Sequence, residues 1–469
     1  MPQTEQEFKQ QIENCRDLIT QSRLSKAEQI LASLTEWATT QEEKEGNLRP
    51  TIDCENELAR IAIHRGDAAK AIAITEGILT RIAKNELDYP YGKGVALETL
   101  GASHSQRGNA EDATRHYREA LSLWESVENH DHIARCLNNL AIIDTTVGKT
   151  AKALKRYERA LELWTDLGNQ TGRAACFNNI AVLKQQAGDL PGARKGYQKA
   201  LEEARIAGDD YMAATALDNY GWVLAALDAP EQAFECLRDA ETMFSPANDP
   251  GLHIDIAYAK SVVLADMKRF EEAKQALAIG LSSSRQFDSK PLQIAGRFFE
   301  GYLDLSQHNL RPARTALEAT LQEAKELQLV EYILRALVHL IEVDLLEYRT
   351  TFDEKHLETM KERIADAYQQ ASQHKQVVEL VEIAMLEALL AAAYLEFDKA
   401  IKGMEFVIEL TKERHLPQQA KSAQQHLQRL HKVKQKAEKH HGKRLEKEKV
   451  DEMLEAVRDV EKQFRAKGA

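Results

Sequence analysis

Apolar positions along this chain recur on two scales. On the shorter scale they fall three and four residues apart, as on one face of an α-helix, and no window shows the alternation that marks a strand. On the longer scale the pattern returns every 40 residues. That step leads from Gly101 to Ala141, Ala181, Gly221, Ser261 and Gly301, and from Ala113 to Ala153, Ala193, Ala233, Ala273 and Ala313. It also joins Tyr117, Tyr157 and Tyr197, and it joins Ala120, Ala160, Ala200 and Ala240. A fixed period of this size predicts stacked supersecondary units, each hiding its apolar face against its neighbours.

The clearest unit runs from Asp131 to Gly168. Its first helix carries Leu137, Leu140, Ala141 and Ile143 as a stripe and is expected to end at Gly148. The second starts near Thr150 and is expected to bury Ala153, Leu154, Tyr157, Ala160, Leu161 and Trp164. Small residues are needed where two antiparallel helices approach closely. Tyr157 would fill the wedge between units, and Ala160 would meet the first helix of the next one.

Further copies read ACFNNIAVLKQQAGDLPGARKGYQKAL and ALDNYGWVLAALDAPEQAFECLRDA. Upstream, IAIHRGDAAKAIAITEGIL is displaced by two residues, and SRLSKAEQILASL carries the first copy. Past Phe270 the pattern degrades, with Lys260 and Glu300 where Leu100, Leu140, Ile180 and Tyr220 stand earlier. An interruption is expected from Tyr348 to Asp353. Pro417 marks a boundary, followed by a basic helix to about Lys439, a break at His441-Gly442 and a final helix. There Val450, Met453, Val457, Val460 and Phe464 form a coiled-coil-like seam barely two heptads long.

The offsets small, Ala, aromatic, Ala within a helix–turn–helix resemble the tetratricopeptide repeat, lengthened by six residues. The resemblance implies an all-α fold, a right-handed α-solenoid of about ten helix pairs with a C-terminal helical extension. Residues 1–413 would form the solenoid, best defined over 91–286 and degenerate over 287–413, and 414–469 the extension.

Composition agrees with long exposed helices: 29% of residues are charged, 6% aromatic, and only 10 are proline. The formal charge of −12 is uneven, because residues 411–449 hold 12 basic and 4 acidic side chains, +8, leaving −20 elsewhere. An acidic body is a poor surface for nucleic acid, so the basic stretch 421–449 is the only candidate for such a contact. The five cysteines lack any CxxC spacing and read as free thiols of a reducing compartment; Cys136 and Cys176 share one repeat position. The start MPQTEQEFKQQIENC has neither the basic nor the apolar region of a secretory leader, and no apolar run approaches a membrane span, so a cytoplasmic protein is expected.

Catalytic and cofactor chemistry finds no foothold. There is no phosphate loop, GxGxxG, HExxH or GxSxG, and His440-His441 has no metal-ligand partners at suitable spacing, so no enzyme, cofactor or metal is expected. A repeated polar signal does stand out. First helices read LNNLA, FNNIA and LDNYG, which sets Asn139, Asn179 and Asn219 in one ladder and Asn138, Asn178 and Asp218 in a second. Asparagine is a mediocre helix former, and a carboxamide both donates and accepts, so a row of them suits the backbone of an extended peptide. The same amides also suit bonds between neighbouring first helices that keep the stack in register. The LNNLA form resembles that of the kinesin light chains, whose groove asparagines bind extended cargo peptides, and Asp218 departs from it. Arg135, Thr145, Gln185, Gln186 and Trp222 fall on or near the same face. Arg135 would meet a carboxylate and Trp222 an apolar side chain.

The chain therefore reads as an interaction scaffold holding a peptide or partner segment in a concave groove. The alternative is a peptide-responsive sensor that signals through a change of superhelix and the C-terminal helix. The seam over 445–465 offers a route to a homodimer or a helix that caps the last repeat, and the +8 segment could also fold back on the acidic body.

Overall fold

A computed structural model of the chain describes residues 2, 4–20, 23–147, 149–227, 229–243, 250–286, 290–351, 353–373, 377–394, 396–413 and 417–439. Gly148, His441-Gly442 and the seam from Val450 to Phe464 lie outside them. Among the described residues there are 21 helices and no strand. They are α1 Glu5–Thr20, α2 Leu24–Glu45, α3 Arg49–His64, α4 Ala68–Lys84, α5 Pro90–Gln106, α6 Ala110–Ser126 and α7 His130–Thr146. There follow α8 Thr150–Asp166, α9 Gln170–Gln186, α10 Leu190–Ala207, α11 Asp210–Ala226, α12 Pro230–Met243, α13 Pro250–Asp266 and α14 Phe270–Gln286. The last are α15 Lys290–Ser306, α16 Leu310–Glu326, α17 Val330–Thr351, α18 Lys355–Gln373, α19 Val377–Ala393, α20 Phe397–Glu413 and α21 Pro417–Lys439. Ten pairs and one further helix make an α-solenoid of repeated helix pairs.

The 40-residue period has a simple internal ruler. From α5 to α9 each helix has 17 residues and starts 20 after the one before, which leaves links of three residues. The middle residue of such a link takes positive φ at Gly108 (76°), Glu128 (52°), Gly168 (66°), Gly188 (78°), Lys268 (59°), His308 (60°) and Gln328 (55°), as does Gly208 (66°), which opens the two-residue link before α11. A left-handed residue ends one helix. The last link residue is often Asn or Asp and caps the next helix: Asn109 accepts from the Asp112 N–H, Asn129 from His132 and Asp209 from Met212.

The chain divides into two compact units, one of residues Met1–Leu183, Gly196–Ala216 and Glu241–Asp249, the other of Lys184–Lys195, Leu217–Ala240 and Pro250–Ala469. In the first, Tyr157 packs with Ala141, Ala153 and Leu183, as a wedge between successive pairs must. Ala160 and Trp164 meet Cys176 of α9. Gly101 is small for a steric reason: a Cβ there would sit 3.0 Å from the Tyr117 ring. Of the residues expected in the core of α8, Leu161 is only half-buried and one is exposed. The stripe of α8 runs through Ala153, Tyr157, Ala160 and Trp164, and Leu154, about 100° round the helix from Ala153, is exposed.

In the second unit α13 through α20 pair in sequence, and the largest apolar cluster draws on α17 to α21. The interruption expected at Tyr348 begins only after Thr351, because α17 runs on for 22 residues. Within α17, Asp344 is buried. It accepts from Arg314 at 2.7 Å and from Arg363 at 2.5 Å, and Arg363 also donates to the Leu340 carbonyl. In the first unit Arg156 grips Asp144 and the Leu140 carbonyl in the same way; the two acceptors stand 200 positions before Asp344 and Leu340, and the arginine 207 before Arg363.

Candidate functional site

Four successive first helices of the first unit, α1, α3, α5 and α7, face one cavity of about 280 Å³. The lining residues follow helical spacing on each: Glu13, Arg16, Asp17 and Thr20; Glu57, Arg60 and His64; Tyr91, Val95, Glu98 and Ala102; Asp131, Arg135 and Asn139.

Its charges rest on buried carboxylates. Glu57, whose side chain is fully buried, accepts from Arg16 Nε at 2.8 Å and from Arg60 at 2.8 Å. Arg16 also reaches Glu13 at 3.0 Å and Asp53 at 3.6 Å, and its guanidinium lies 5.0 Å from the centre of the Tyr91 ring. Burial works against the charge of Arg16, but Glu57 and its other anionic neighbours hold it protonated even more firmly than usual. Burial pushes Asp53 up to about 6, against the Tyr89 hydroxyl that donates to it at 2.7 Å and the attraction of Arg16. Asp17, on the rim, has no ion pair among the described residues.

The α7 wall is equally organised. His132 Nδ1 lies 2.6 Å from Glu98, and its ring stacks on Trp124 at 4.1 Å. Arg135 donates to Asp131 at 2.9 Å, while its buried Nε has no hydrogen-bond acceptor. Asp131 is held in turn by the Trp164 indole N–H at 2.8 Å and the Asn169 amide at 2.9 Å.

The asparagine ladders divide in role. Asn138 is buried, and its Oδ1 accepts from Asn179 Nδ2 at 2.9 Å, which ties α7 to α9. Asn138 Nδ2 donates to Asn139 Oδ1 at 3.4 Å, and Asn178 Nδ2 to Asn179 Oδ1 at 3.5 Å. Asn139 lines the cavity, and its own NH2 donates to no group among the described residues. Thr145 bonds the Ala141 carbonyl within its own helix.

The remaining candidates fall in the second unit, where Gln185, Asp218, Asn219 and Trp222 are buried and Gln186 is exposed. The Trp222 ring stacks on Phe299 with centres 6.3 Å apart. Burial drives the Asp218 carboxyl well above the usual range, with Asp255 adding to it, toward the neutral form that asparagine has by nature. Arg135 and Asn139 are thus the two candidates that meet in one cavity. The glutamates and arginines beside them were missed, because Arg16, Glu57 and Arg60 lie in the irregular first copies.

Two other features carry no chemistry. The Cys15 and Cys176 thiols are pushed up to about 12 by burial, far from the range of a reactive thiolate. Asp344, Glu347 and His356 bring ligand-type atoms within 4.8 Å of one another, but Arg314 pairs with both Asp344 and Glu347, so a guanidinium already neutralises the group. No helix among the described residues is long and apolar enough to cross a membrane.

Comparison with known proteins adds the family of the central repeats. The tetratricopeptide repeat model matches residues 93–166 and 173–245, which correspond to α5 through α8 and α9 through α12. No curated protein matches the chain in sequence. Among solved structures, a Rap protein complexed with competence and sporulation factor is similar at 18% identity, covering 72% of this chain and 98% of that one, with a TM-score of 0.51. The apo form of RapI is similar at 14% identity, covering 79% and 98%, TM-score 0.51. The Rap conjugation gene regulator of plasmid pLS20, in complex with the Phr* peptide, is similar at 15%, covering 80% and 97%, TM-score 0.51. At these identities the likeness concerns the fold. Residues 93–166 and 173–245 are tetratricopeptide repeats, set in a chain that shares its helix-pair fold with the Rap proteins.

Proposed function

We propose that this chain is a non-catalytic binding protein of the cytoplasm that takes an extended peptide or partner segment along the first helices of its first unit. The observation that carries the reading is the division of labour between adjacent amides. Asn138 is spent on Asn179, whereas Asn139 faces the cavity with an unused NH2, a donor suited to a peptide carbonyl. Arg135 stands one turn away with its side chain part-exposed, and its position is set by Asp131, so little side-chain ordering is left for binding. Two of the solved structures that share the fold hold a factor or a peptide, which fits a fold able to cradle one.

Native mass spectrometry of the full chain with a randomised pentapeptide library tests this. The wild type is expected to retain a subset of peptides, and Asn139→Ala and Arg135→Ala to lose it with unchanged circular dichroism. No retention by the wild type, or equal retention by folded variants, would refute the groove as the binding site.

A further inference from the structure

Exposed aromatic side chains are rare in this chain. Among the described residues only Tyr368 of α18 and Phe406 of α20 are exposed, at 41% and 53%. Both flank a single cavity of about 160 Å³ in the second unit. Its floor is made of Ala384, Ala388 and Ala391 of α19 and Gly403 of α20. A Cβ on Gly403 would stand 3.1 Å from that of Ala388, so the two helices are in close contact and leave a shallow seat between the aromatic walls. A cavity of this order, lined by apolar groups, holds a benzene ring. On the rim Glu387 is exposed and has no ion pair among the described residues, and Lys399 pairs only with Glu396 one turn earlier.

We propose that this patch is a self-association surface that meets a second copy of the chain across a two-fold axis. The Phe406 ring of each copy enters the cavity of the other, and Glu387 of each faces Lys399 of the other. A two-fold contact requires one patch to carry both halves of every interaction. This patch does so twice, with a ring beside a ring-sized seat and an acid beside a base, whereas a foreign partner would need the seat alone. Concentrating the exposed aromatics at such a seat is how interface anchors are arranged. The contact is independent of the peptide groove.

Sedimentation velocity of the full chain over a concentration series decides it. The wild type is expected to dimerise reversibly, and Phe406→Asp, at an exposed position, to weaken the dimer about tenfold or more. Glu387→Lys should weaken it too, and Glu387→Lys combined with Lys399→Glu should restore it, which no unfolding effect would mimic. A wild type that stays monomeric, or a dimer indifferent to Phe406→Asp, overturns the proposal. So does a dimer lost only on removal of residues 440–469, which would place the contact in the C-terminal seam. A chain that dimerises only after that removal overturns it as well, since its own tail would then cover the patch.

Discussion

Replacing Glu57 by glutamine should loosen the first three helices far more than a surface change would. The carboxylate is fully buried and bonds two guanidinium groups, on α1 and α3, both at 2.8 Å. The amide keeps the shape but removes the charge, and it turns an NH2 toward one of the arginines. Breaking a buried ion pair from one side costs about 3–5 kcal/mol. The lower end applies, because the two arginine side chains retain 17% and 20% exposure and Arg16 keeps Glu13 and Asp53. About 3 kcal/mol corresponds to roughly a hundredfold in an opening equilibrium. Repeat stacks open locally, so the assay is amide hydrogen exchange read separately over α1 and α3 and over α13 to α16 as the internal control. Exchange in α1 and α3 should accelerate by about two decades while the control stays put. Replacing Glu57, Arg16 and Arg60 together by apolar residues of similar volume should recover much of the loss, since an apolar core needs no compensation. Less than a tenfold change in Glu57→Gln would refute the view that this carboxylate anchors the entry of the stack.

Asp53 provides a test with a pH axis. Its carboxyl titrates at about 6 in the folded chain, above the unfolded value, so the folded state binds the extra proton and stability falls as pH rises from about 4 to 6. Asp53→Asn should abolish up to about 3 kcal/mol of that slope, measured as the difference between variant and wild type in urea melts from pH 4 to 7. An identical slope in both would show that Asp53 does not titrate there. In the links, Lys268→Gly and His308→Gly should each stabilise by roughly 0.5–1 kcal/mol, because glycine takes positive φ without the Cβ penalty. A loss of stability in thermal melts would mean that the side chain contributes more than its backbone costs.

Much of the fold was legible because one period governs it. Ala153, Tyr157 and Ala160 recur at fixed offsets, and each offset corresponds to a contact that a helix pair must make. The links were only half visible: Gly108, Gly168, Gly188 and Gly208 announce themselves, but Glu128, Lys268, His308 and Gln328 hold the same conformation without a glycine to mark it. Leu154 shows the limit of hydrophobicity as a guide, since a leucine one position off the stripe faces outward. The ladders were legible as positions and not as roles. Asn138 and Asn139 are chemically identical, and only the turn of α7 decides which one meets Asn179 and which lines the cavity. The ion pairs around Glu57 were hidden because Arg16 and Glu57 lie 41 residues apart, in copies where the period slips.

The twenty-residue ruler has a bearing on how such a chain can change its length. A residue inserted within a 17-residue helix rotates everything beyond it by about 100°, carrying alanines out of the seams and charges into them. A whole pair added or removed preserves every later register. Length in this protein is therefore quantised: viable relatives and engineered forms should differ by steps of about 40 residues, with smaller changes confined to the links. Duplication lengthens the molecule the way a course of bricks raises a wall, and the arginine grips on Asp144 and Asp344, carboxylates 200 positions apart, are two courses laid to one pattern.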